Sequence, residues 1–349
     1  MKFRTLLAAA AGAVMLVSGT TAALAEKLVI SNWDGYMPKD MAEKFKAATG
    51  IDLEIAVHAT NEEIMGKVTA SGGEGYDVLF VSSPFAEALN NLGLLAPIDH
   101  TKILNLANLY PEANELKHDP GNTFSVPYTW GTTGLCYRSD MVKTAPTSWN
   151  DLLSPTDDLK GKITMLSTDR WLMAAGFLAD GLSVNTTDQA DLDKVRDQLI
   201  AAKRNLLAYD DTTFYSKLVS GEAKMVQAWD GWCNYGITDK PEIKYVIPKE
   251  GSDLWVDTMV ITKASKNPEA AAKFIDFVLN AEKGKWVYET IMYKSPNKAG
   301  MEAVDKSLFE KYPNMAITPA ELLKYEQLRD LGNGMKAFSK TVSEVMAAK

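Results

Sequence analysis

The chain has 349 residues, of which 46% are hydrophobic and 23% charged, a composition typical of a folded globular protein and unlike that of a disordered or collagenous one. This length favours two domains with a large buried core. The formal net charge of −8 argues against nucleic acid or an anionic lipid surface as a partner, because both require a basic face, and it suits a cationic ligand.

The first 25 residues have the pattern of a secretory signal peptide. Lys2 and Arg4 precede an apolar stretch over 6–17 that is too short to span a bilayer, and Ala23-Leu24-Ala25 is a small-residue cleavage site. No later segment has the run of about 18 apolar residues that a membrane helix needs. We therefore expect residues 1–25 to be removed and the rest of the chain to be exported as a periplasmic protein.

The segment that follows, as far as residue 93, alternates strand and helix patterns. Strands are predicted over 28–30, 51–57 and 78–81, and helices are predicted to begin at Pro38, Thr60 and Ser83. Apolar and polar residues alternate over 51–57, as in a half-buried strand, and Thr60 and Glu63 have the spacing of a capping box. The order β-α-β-α-β-α predicts a mostly parallel sheet covered by helices, with ligands bound at the carboxyl ends of the strands.

Aromatic and polar side chains follow two of these strands. Trp33, Asp34 and Tyr36 come after the first strand, and Ser82 comes after the third. Two large aromatic residues are unusual in a turn, which small polar residues form more readily, so we interpret them as candidates for a ligand site. The alternative interpretation is that they cap the core.

A second lobe is predicted to begin near residue 132. The small residues of 129–134 permit the chain to cross between lobes, and a strand is predicted directly after them at 135–138. Near the carboxyl terminus, a helix is predicted to begin at Thr318 and to carry Tyr325 and Gln327. No low-complexity linker separates the lobes, which indicates that they exchange chain more than once.

Two further strand patterns end at or contain aromatic residues. A short strand over 224–228 leads directly into Trp229. An extended segment over 254–261 places Trp255 and Asp257 two residues apart, and therefore on the same face of the strand. A carboxylate and an indole are thus predicted to face the same space.

The two cysteines, Cys136 and Cys233, leave two possibilities open. An exported protein meets an oxidising compartment, where a disulfide between them would close a loop of about 100 residues. Two buried free thiols are equally consistent with the sequence, because the sequence does not show whether the two Cα atoms lie within reach.

The residues of common catalytic and metal sites are not arranged in recognisable motifs. The three histidines, His58, His100 and His118, lack the spacing of a zinc site, and we find no nucleophile elbow, P-loop or dinucleotide-binding glycine fingerprint. We therefore expect a binding protein with no cofactor and no metal. A secreted hydrolase is the alternative, because catalytic triads can be dispersed in sequence, but Trp and Tyr side chains are rarely proton-transfer groups at neutral pH.

A series of short motifs along the chain matches a known family. The motifs are Asn32-Trp33 with Tyr36, Tyr76-Asp77, Ser82, Val126-Pro127-Tyr128 with Trp130-Gly131, Trp149, Trp229, Pro248-Lys249-Glu250-Gly251, Trp255 with Asp257, and Pro296-Asn297. In order and spacing, the sequence resembles the periplasmic spermidine/putrescine-binding proteins of bacterial ABC importers over nearly all of its mature length.

This resemblance implies an α/β, two-lobed periplasmic binding fold of type II, in which each lobe is a central sheet flanked by helices and hinge strands join the lobes. Lobe 1 would comprise residues 26–132 plus 257–298, and lobe 2 would comprise 133–256 plus 299–349. The implied partners are a small-molecule amine and an inner-membrane ABC permease. A monomer that binds no nucleic acid is expected.

The resemblance also implies a ligand cleft between the lobes. Its aromatic walls would be Trp33, Tyr36, Trp229, Trp255 and Tyr293, and its polar anchors would be Ser82, Asp257 and Gln327. Aromatic faces cover a methylene chain and attract its ammonium ends by cation–π interaction. The alternatives are that Trp229 and Trp255 form interlobe core and that Gln327 faces solvent on a helix.

The sequence departs from the family pattern at positions that matter for charge. The family usually carries an acidic residue just before the tyrosine of the first motif, where this chain has Gly35, and acidic residues where this chain reads Thr168-Asp169-Arg170-Trp171. Asp257 is thus the one carboxylate that the family pattern assures as a partner for a ligand ammonium. An unpaired buried ammonium costs several kcal/mol, so a diamine or triamine needs a carboxylate at each end.

Two classes of ligand therefore remain open. A polyamine would fit if a second carboxylate is supplied by one of Asp34, Asp169, Asp210, Asp211 and Asp230. A zwitterion such as 4-aminobutyrate, an opine or a betaine would fit if Arg170 binds a carboxylate at the far end of the ligand. Arg170 as a plain surface residue is the third interpretation.

Overall fold

The computed structural model describes residues 27–348, so the predicted signal peptide over 1–25 lies outside the described residues. The strands are β1 (Lys27–Trp33), β2 (Asp52–His58), β3 (Val78–Ser82), β4 (Val126–Arg138), β5 (Ile163–Met165), β6 (Ala208–Tyr209), β7 (Met225–Trp229), β8 (Ile243–Val246), β9 (Asp253–Ile261) and β10 (Glu326–Gln327). The α-helices are α1 (Met41–Thr49), α2 (Asn61–Ser71), α3 (Ser83–Asn91), α4 (Asn150–Leu153), α5 (Asp169–Ala179), α6 (Gln189–Lys203), α7 (Phe214–Ser220), α8 (Asp230–Asp239), α9 (Pro268–Leu279), α10 (Ala281–Ile291), α11 (Lys298–Ala303), α12 (Ser307–Lys311), α13 (Pro319–Leu322) and α14 (Met335–Ala347). Over 27–348, none of these helices is long and apolar enough to cross a membrane.

The first three strand–helix units have the predicted order. β1 pairs in parallel with both β2 and β3, so the carboxyl ends of these strands meet at one edge of the sheet. At the start of α2, the Thr60 hydroxyl accepts a hydrogen bond from the backbone N–H of Glu63 at 3.1 Å, as the capping-box spacing predicted. α1 ends at Gly50, whose φ of 77° suits a residue without a Cβ.

One mixed sheet runs through the molecule, and β4 connects its two halves. The strand order is β2-β1-β3-β9-β4-β7-β5-β6, with β10 beside β9 and β8 beside β4. β4 pairs with β9 over 126–132 and with β7 or β8 over 133–138. Helices flank the sheet, as the predicted α/β class requires. The exact bounds of the two lobes stay a prediction.

Each half of the sheet has its own buried side chains. In the first half, Phe45 of α1 lies edge-on to Phe274 of α9 with ring centroids 5.4 Å apart, and both are fully buried. In the second half, α5 is buried along almost its whole length and packs against α6 and α14. Buried apolar side chains of helices thus pack in both halves of the molecule, as expected for this fold class.

The helix predicted from Thr318 is much shorter than expected. α13 covers only Pro319–Leu322, and Gln327 belongs instead to β10, where it pairs with Leu254 of β9. The backbone N–H of Leu328 donates to the carbonyl of Leu254 at 3.1 Å. The prediction that a helix carries Gln327 is wrong, because β9 offers the backbone of this segment hydrogen-bond partners that local helix signals do not reveal.

Cys136 and Cys233 form a disulfide. The two residues are 97 apart in sequence, their Cα atoms are 6.0 Å apart, and both are fully buried. Cys136 lies on β4 and Cys233 on α8, so the bond fixes α8 against the strand that connects the two halves of the sheet.

Candidate ligand-binding site

A cavity of about 510 Å³ lies at the carboxyl ends of β1, β3 and β7. These strands end at Trp33, Ser82 and Trp229, all of which line the cavity. The complete lining is Trp33, Asp34, Tyr36, Val57, His58, Ala59, Thr60, Asn61, Ser82, Thr168, Trp171, Asp211, Thr212, Trp229, Trp232, Trp255, Asp257 and Tyr293. Its volume is in the range of small-molecule sites in proteins, and its place in the sheet is the one predicted for ligand binding.

Two side-chain hydroxyls hold the Asp257 carboxylate at this cavity. One of its carboxylate oxygens accepts a hydrogen bond from the Tyr36 hydroxyl at 2.8 Å, and the other accepts one from the Ser82 hydroxyl at 2.6 Å. Each oxygen therefore keeps acceptor capacity for a ligand. Burial raises the pKa of Asp257 to about 6, while the two hydroxyl donors oppose that rise.

The Tyr36 and Ser82 hydroxyls that bond Asp257 have further hydrogen-bond partners of their own. The Thr129 hydroxyl lies 2.6 Å from the Tyr36 hydroxyl, and the side-chain amide of Asn61 donates to the Ser82 hydroxyl at 3.1 Å. The backbone N–H of Ser82 also donates to Asn61 Oδ1 at 2.9 Å. The turn after β1, the strands β3 and β4 and the helix α2 thus all contribute to the position of this carboxylate. Such support is what a preformed binding group requires.

Aromatic rings around Asp257 contact one another edge-on. The ring centroids of Trp33 and Tyr36 are 5.5 Å apart, those of Tyr36 and Tyr293 are 5.1 Å apart, and those of Trp255 and Tyr293 are 5.7 Å apart. All four of these aromatic residues line the cavity together with the carboxylate.

Three indoles form a second aromatic surface, on α5, β7 and α8. Trp171 and Trp229 meet with an interplanar angle of 88° and a centroid distance of 5.4 Å. Trp232 follows Trp229 by three residues, in the first turn of α8. Phe214 packs behind both, with its ring centroid 6.3 Å from that of Trp229 and 5.5 Å from that of Trp232. We call Trp171, Trp229 and Trp232 the indole corner.

The charged groups of the lining all carry the same sign. Asp34, Asp211 and Asp257 line the cavity, whereas no Lys or Arg does within residues 27–348. Burial lowers the pKa of His58 to about 4, so its imidazole is neutral at pH 7, and the Ser31 hydroxyl lies 2.8 Å from its Nδ1. The cavity therefore favours a cation.

Most of the predicted site residues line this cavity. Those that do are Trp33, Asp34, Tyr36, Ser82, Trp229, Trp255, Asp257 and Tyr293. Tyr36, Trp255 and Tyr293 also belong to the buried core, and Trp33 packs against it, so these rings contribute to the core as well as to the cavity lining. Their contact with a ligand stays a prediction.

Gln327 does not line the cavity, which corrects the expectation that it forms a polar anchor there. Its amide NH₂ donates to His118 Nδ1 at 2.7 Å, and its carbonyl oxygen accepts from the backbone N–H of Lys117 at 2.8 Å. The residue is buried, so the alternative of a solvent-facing helix position is wrong as well.

Arg170 also lies outside the lining, contrary to the expectation that it faces the far end of a ligand. Its guanidinium donates to the carbonyls of Arg329 and Val184 and to Asn185 Oδ1, at 2.5, 3.1 and 2.7 Å. It is 2% exposed, so it is not a surface residue either. The segment after α5 and the segment after β10 thus bind the two terminal nitrogens of this guanidinium.

Asp230 is the third predicted residue that the lining lacks. It forms an ion pair with Lys294, and it accepts hydrogen bonds from the backbone N–H and the hydroxyl of Thr132, both at 3.2 Å. Asp230 and Lys294 are 1% and 3% exposed. Lys294 therefore compensates the charge of Asp230, and Asp230 is not part of the cavity lining.

Several lining residues were not predicted as site residues. The sequence predicts Asp211 only as one of five candidates for a second carboxylate in the cleft. It does not predict Trp171, Trp232 or Asn61 as ligand-binding residues. Trp232 could have been found from its spacing, since residues three apart share a helix face and Trp229 immediately precedes α8. Asn61 and Trp171 carry no comparable local signal.

Comparisons with known proteins agree with this architecture. The sequence matches the family described as bacterial extracellular solute-binding protein over residues 40–317. It is 30% identical to the spermidine/putrescine-binding periplasmic protein of Salmonella typhimurium over 97% of either chain, and 29% identical to spermidine/putrescine-binding periplasmic protein 1 of Haemophilus influenzae over 94% of this chain and 91% of the relative.

A solved structure supports the fold as well. The spermidine/putrescine ABC transporter substrate-binding protein PotD of Streptococcus pneumoniae superposes with a TM-score of 0.79 at 28% identity, covering 92% of this chain and 99% of that one. The predicted two-lobed fold class is therefore confirmed. The chain belongs to the bacterial extracellular solute-binding protein family.

Proposed function

We propose that the mature protein is a periplasmic receptor that binds a polyamine of the putrescine and spermidine class in this cleft and delivers it to an inner-membrane ABC permease. The observation that carries the proposal is the sign of the charged lining, which contains three carboxylates and, within 27–348, neither Lys nor Arg. The names of the relatives support the same ligand class.

Asp257 is the proposed partner of one ammonium group. It has one hydroxyl donor on each carboxylate oxygen, so both oxygens can still accept N–H bonds from an ammonium. Tyr36, Trp255 and Tyr293 surround it with rings, and each cation–π contact contributes about 0.5–2 kcal/mol. Together these groups replace the water that a buried ammonium loses.

The charge of the lining also bears on the zwitterion alternative. A ligand carboxylate in this cavity would face Asp34, Asp211 and Asp257, and Arg170 lies outside the lining, with both terminal guanidinium nitrogens bonded to other residues. Like charges in a partly desolvated site repel, which favours a polyamine over 4-aminobutyrate, an opine or a betaine.

Transport requires the lobes to open and close around the ligand. We infer that β4 and β9 act as hinge strands, since β4 pairs with β9 over 126–132 and with strands of the other half beyond it. We further propose that the protein acts as a monomer and without catalysis. The aromatic character of the lining supports a binding role over the hydrolase alternative.

Isothermal titration calorimetry with putrescine, spermidine, 4-aminobutyrate, an opine and glycine betaine tests the ligand class. We expect a polyamine to bind at micromolar Kd or tighter, about −8 kcal/mol, and the zwitterions to bind at least about 100-fold more weakly. Preferential binding of a zwitterion would overturn the polyamine assignment. Consumption of a ligand with release of a product would overturn the receptor role.

A further inference from the structure

The lining of the cavity presents two different kinds of surface. One is Asp257 with its Tyr36 and Ser82 donors. The other consists of the lining residues that lie at the start of α5, at the end of β7, in α8 and in the segment before α7, which are Thr168, Trp171, Asp211, Thr212, Trp229 and Trp232. Half of this second surface is indole, and its only carboxylate is Asp211.

Asp211 is less available to a ligand than Asp257. Its Oδ1 accepts hydrogen bonds from the backbone N–H groups of Ser167 and Thr168, at 2.8 and 3.4 Å, and from the Thr168 hydroxyl at 3.0 Å. Its Oδ2 accepts one from the Ser167 hydroxyl. Oδ1 thus has three donors for its two lone pairs, while Oδ2 has one donor and keeps room for one more, so Asp211 can accept fewer hydrogen bonds from a ligand than Asp257 can.

The indole corner offers aromatic rings, rather than hydrogen-bond acceptors, to a cation. Trp171 and Trp229 stand at 88° to each other, so they bound a corner from two directions, and Trp232 extends it along the first turn of α8. Trp171 is only 4% exposed and Phe214 backs the other two rings, so the surface is rigid. Indole is the aromatic group that attracts a cation most strongly.

A cation held by ring faces does not need N–H groups. A primary ammonium must replace three hydrogen bonds to water when it is buried, whereas a quaternary ammonium has no N–H to satisfy and presents methyl groups to the rings. Asp211 Oδ2 has room for about one N–H bond, so most N–H groups of a primary ammonium would lack a carboxylate partner here, whereas methyl groups can meet the ring faces.

We propose that the indole corner holds the second ammonium of the ligand and that this end of the cleft accepts an N-methylated ammonium, up to trimethylammonium, at least as well as a primary one. Asp211 acts on this group through its charge at a distance. The inference rests on the proposed function, because it takes an ammonium at Asp257 as its starting point.

Calorimetry with three probes tests the inference: putrescine, (4-aminobutyl)trimethylammonium and butylamine. We expect the trimethylated probe to bind within about threefold of putrescine or more tightly, and both to bind more tightly than butylamine. A trimethylated probe that binds more than about 100-fold more weakly than putrescine would overturn the inference while leaving the proposed function intact. If no amine binds, the proposed function itself fails.

Single substitutions test the corner directly. Trp232→Leu should weaken binding of the trimethylated probe about 3- to 30-fold. Trp286→Leu is the matched control, because Trp286 is half-buried and lies outside the lining, with Lys44 Nζ 3.9 Å from its ring centroid. Equal effects of the two substitutions, in variants with unchanged melting temperature, would contradict the role of the corner.

Asp211→Asn separates charge at a distance from a direct hydrogen bond. If Asp211 acts only through its charge, the substitution weakens putrescine and the trimethylated probe by the same factor. A loss confined to putrescine would show that Asp211 bonds a primary ammonium, and would overturn the assignment of the second ammonium to the indoles.

Discussion

The ring of Tyr293 lies directly against the backbone of Gly231, with no room for a Cβ between them. Gly231 belongs to the first turn of α8, the helix that begins directly after Trp229. The Tyr293 ring packs on Tyr36 and Trp255, beside Asp257. The absence of a side chain at position 231 therefore allows α8 to approach the aromatic rings around the Asp257 carboxylate.

Gly231→Ala is expected to displace the Tyr293 ring and to weaken ligand binding. Overpacking at such a contact costs about 1–3 kcal/mol, because the Tyr293 ring is buried and has little space to move into. Gly66→Ala is the control, since a Cβ at that position in α2 meets nothing within 4 Å. Calorimetry measures the ligand affinity of both variants, and thermal melting measures their stability. Equal ligand affinities of Gly231→Ala and Gly66→Ala would show that the contact between Gly231 and Tyr293 does not matter for the site.

Asp257→Asn is expected to keep the fold and to lose about 2–5 kcal/mol of binding free energy, because a desolvated ammonium would lose its counter-charge. Asp34→Asn is the matched control. Asp34 lines the same cavity but is exposed, so its removal should cost no more than about 1 kcal/mol. An Asp257→Asn variant with a Kd within about twofold of wild type would remove Asp257 from the site.

Ligand affinity is expected to depend on pH through Asp257. Burial raises the pKa of this carboxyl to about 6, so it is ionised at pH 8 and largely protonated at pH 5. The amines of the ligand stay charged over this range, and a neutral carboxyl cannot pair with them. The affinity should thus be constant above pH 7 and fall by about tenfold per pH unit below 6.

Calorimetry from pH 8 to pH 5 checks this dependence, and the Asp257→Asn variant is its control. His58 also faces the cavity, but its pKa of about 4 keeps it neutral over the range. If the Asp257→Asn variant retains the full pH dependence of affinity, this dependence belongs to a group other than Asp257.

Gln327→Ala is expected to lower stability without changing affinity. The substitution leaves buried His118 Nδ1 without its donor and the backbone N–H of Lys117 without its acceptor, which should cost about 1–3 kcal/mol. Since Gln327 is outside the cavity lining, the Kd should stay within about twofold of wild type. Urea denaturation and calorimetry test the two halves of this prediction, and a large loss of affinity at unchanged stability would return Gln327 to the site.

Removing the disulfide is expected to lower the free energy of unfolding by about 4 kcal/mol, since the bond closes a loop of 97 residues and restricts the unfolded chain. Paired Cys136→Ala and Cys233→Ala substitutions, followed by urea denaturation, measure the loss. The wild-type protein denatured with a reducing agent is the control. A difference below about 1 kcal/mol would show that the bond contributes little to stability.

Local sequence patterns were sufficient to predict the first three strands and helices and the edge of the sheet at which the cavity lies. The reason is that β1, β2 and β3 pair in parallel, and such pairing brings whatever follows each strand to one edge. Trp33, Tyr36 and Ser82 therefore meet at the cavity although they are up to 49 residues apart in the numbering.

The sequence by itself determined the alternation of strands and helices, the residue types at the strand ends and, through the shared face of Trp255 and Asp257, the combination of an indole with a carboxylate. These features are local, because strand periodicity and helix capping act over a few residues.

Only the tertiary structure decided which charged and polar groups are free to meet a ligand. Gln327 is engaged by His118, 209 residues earlier, and Arg170 by the carbonyl of Arg329, 159 residues later. Asp230 is compensated by Lys294, 64 residues away. A polar side chain is available for binding only when no other part of the chain already satisfies it, and partners at such separations leave no trace in the local sequence pattern.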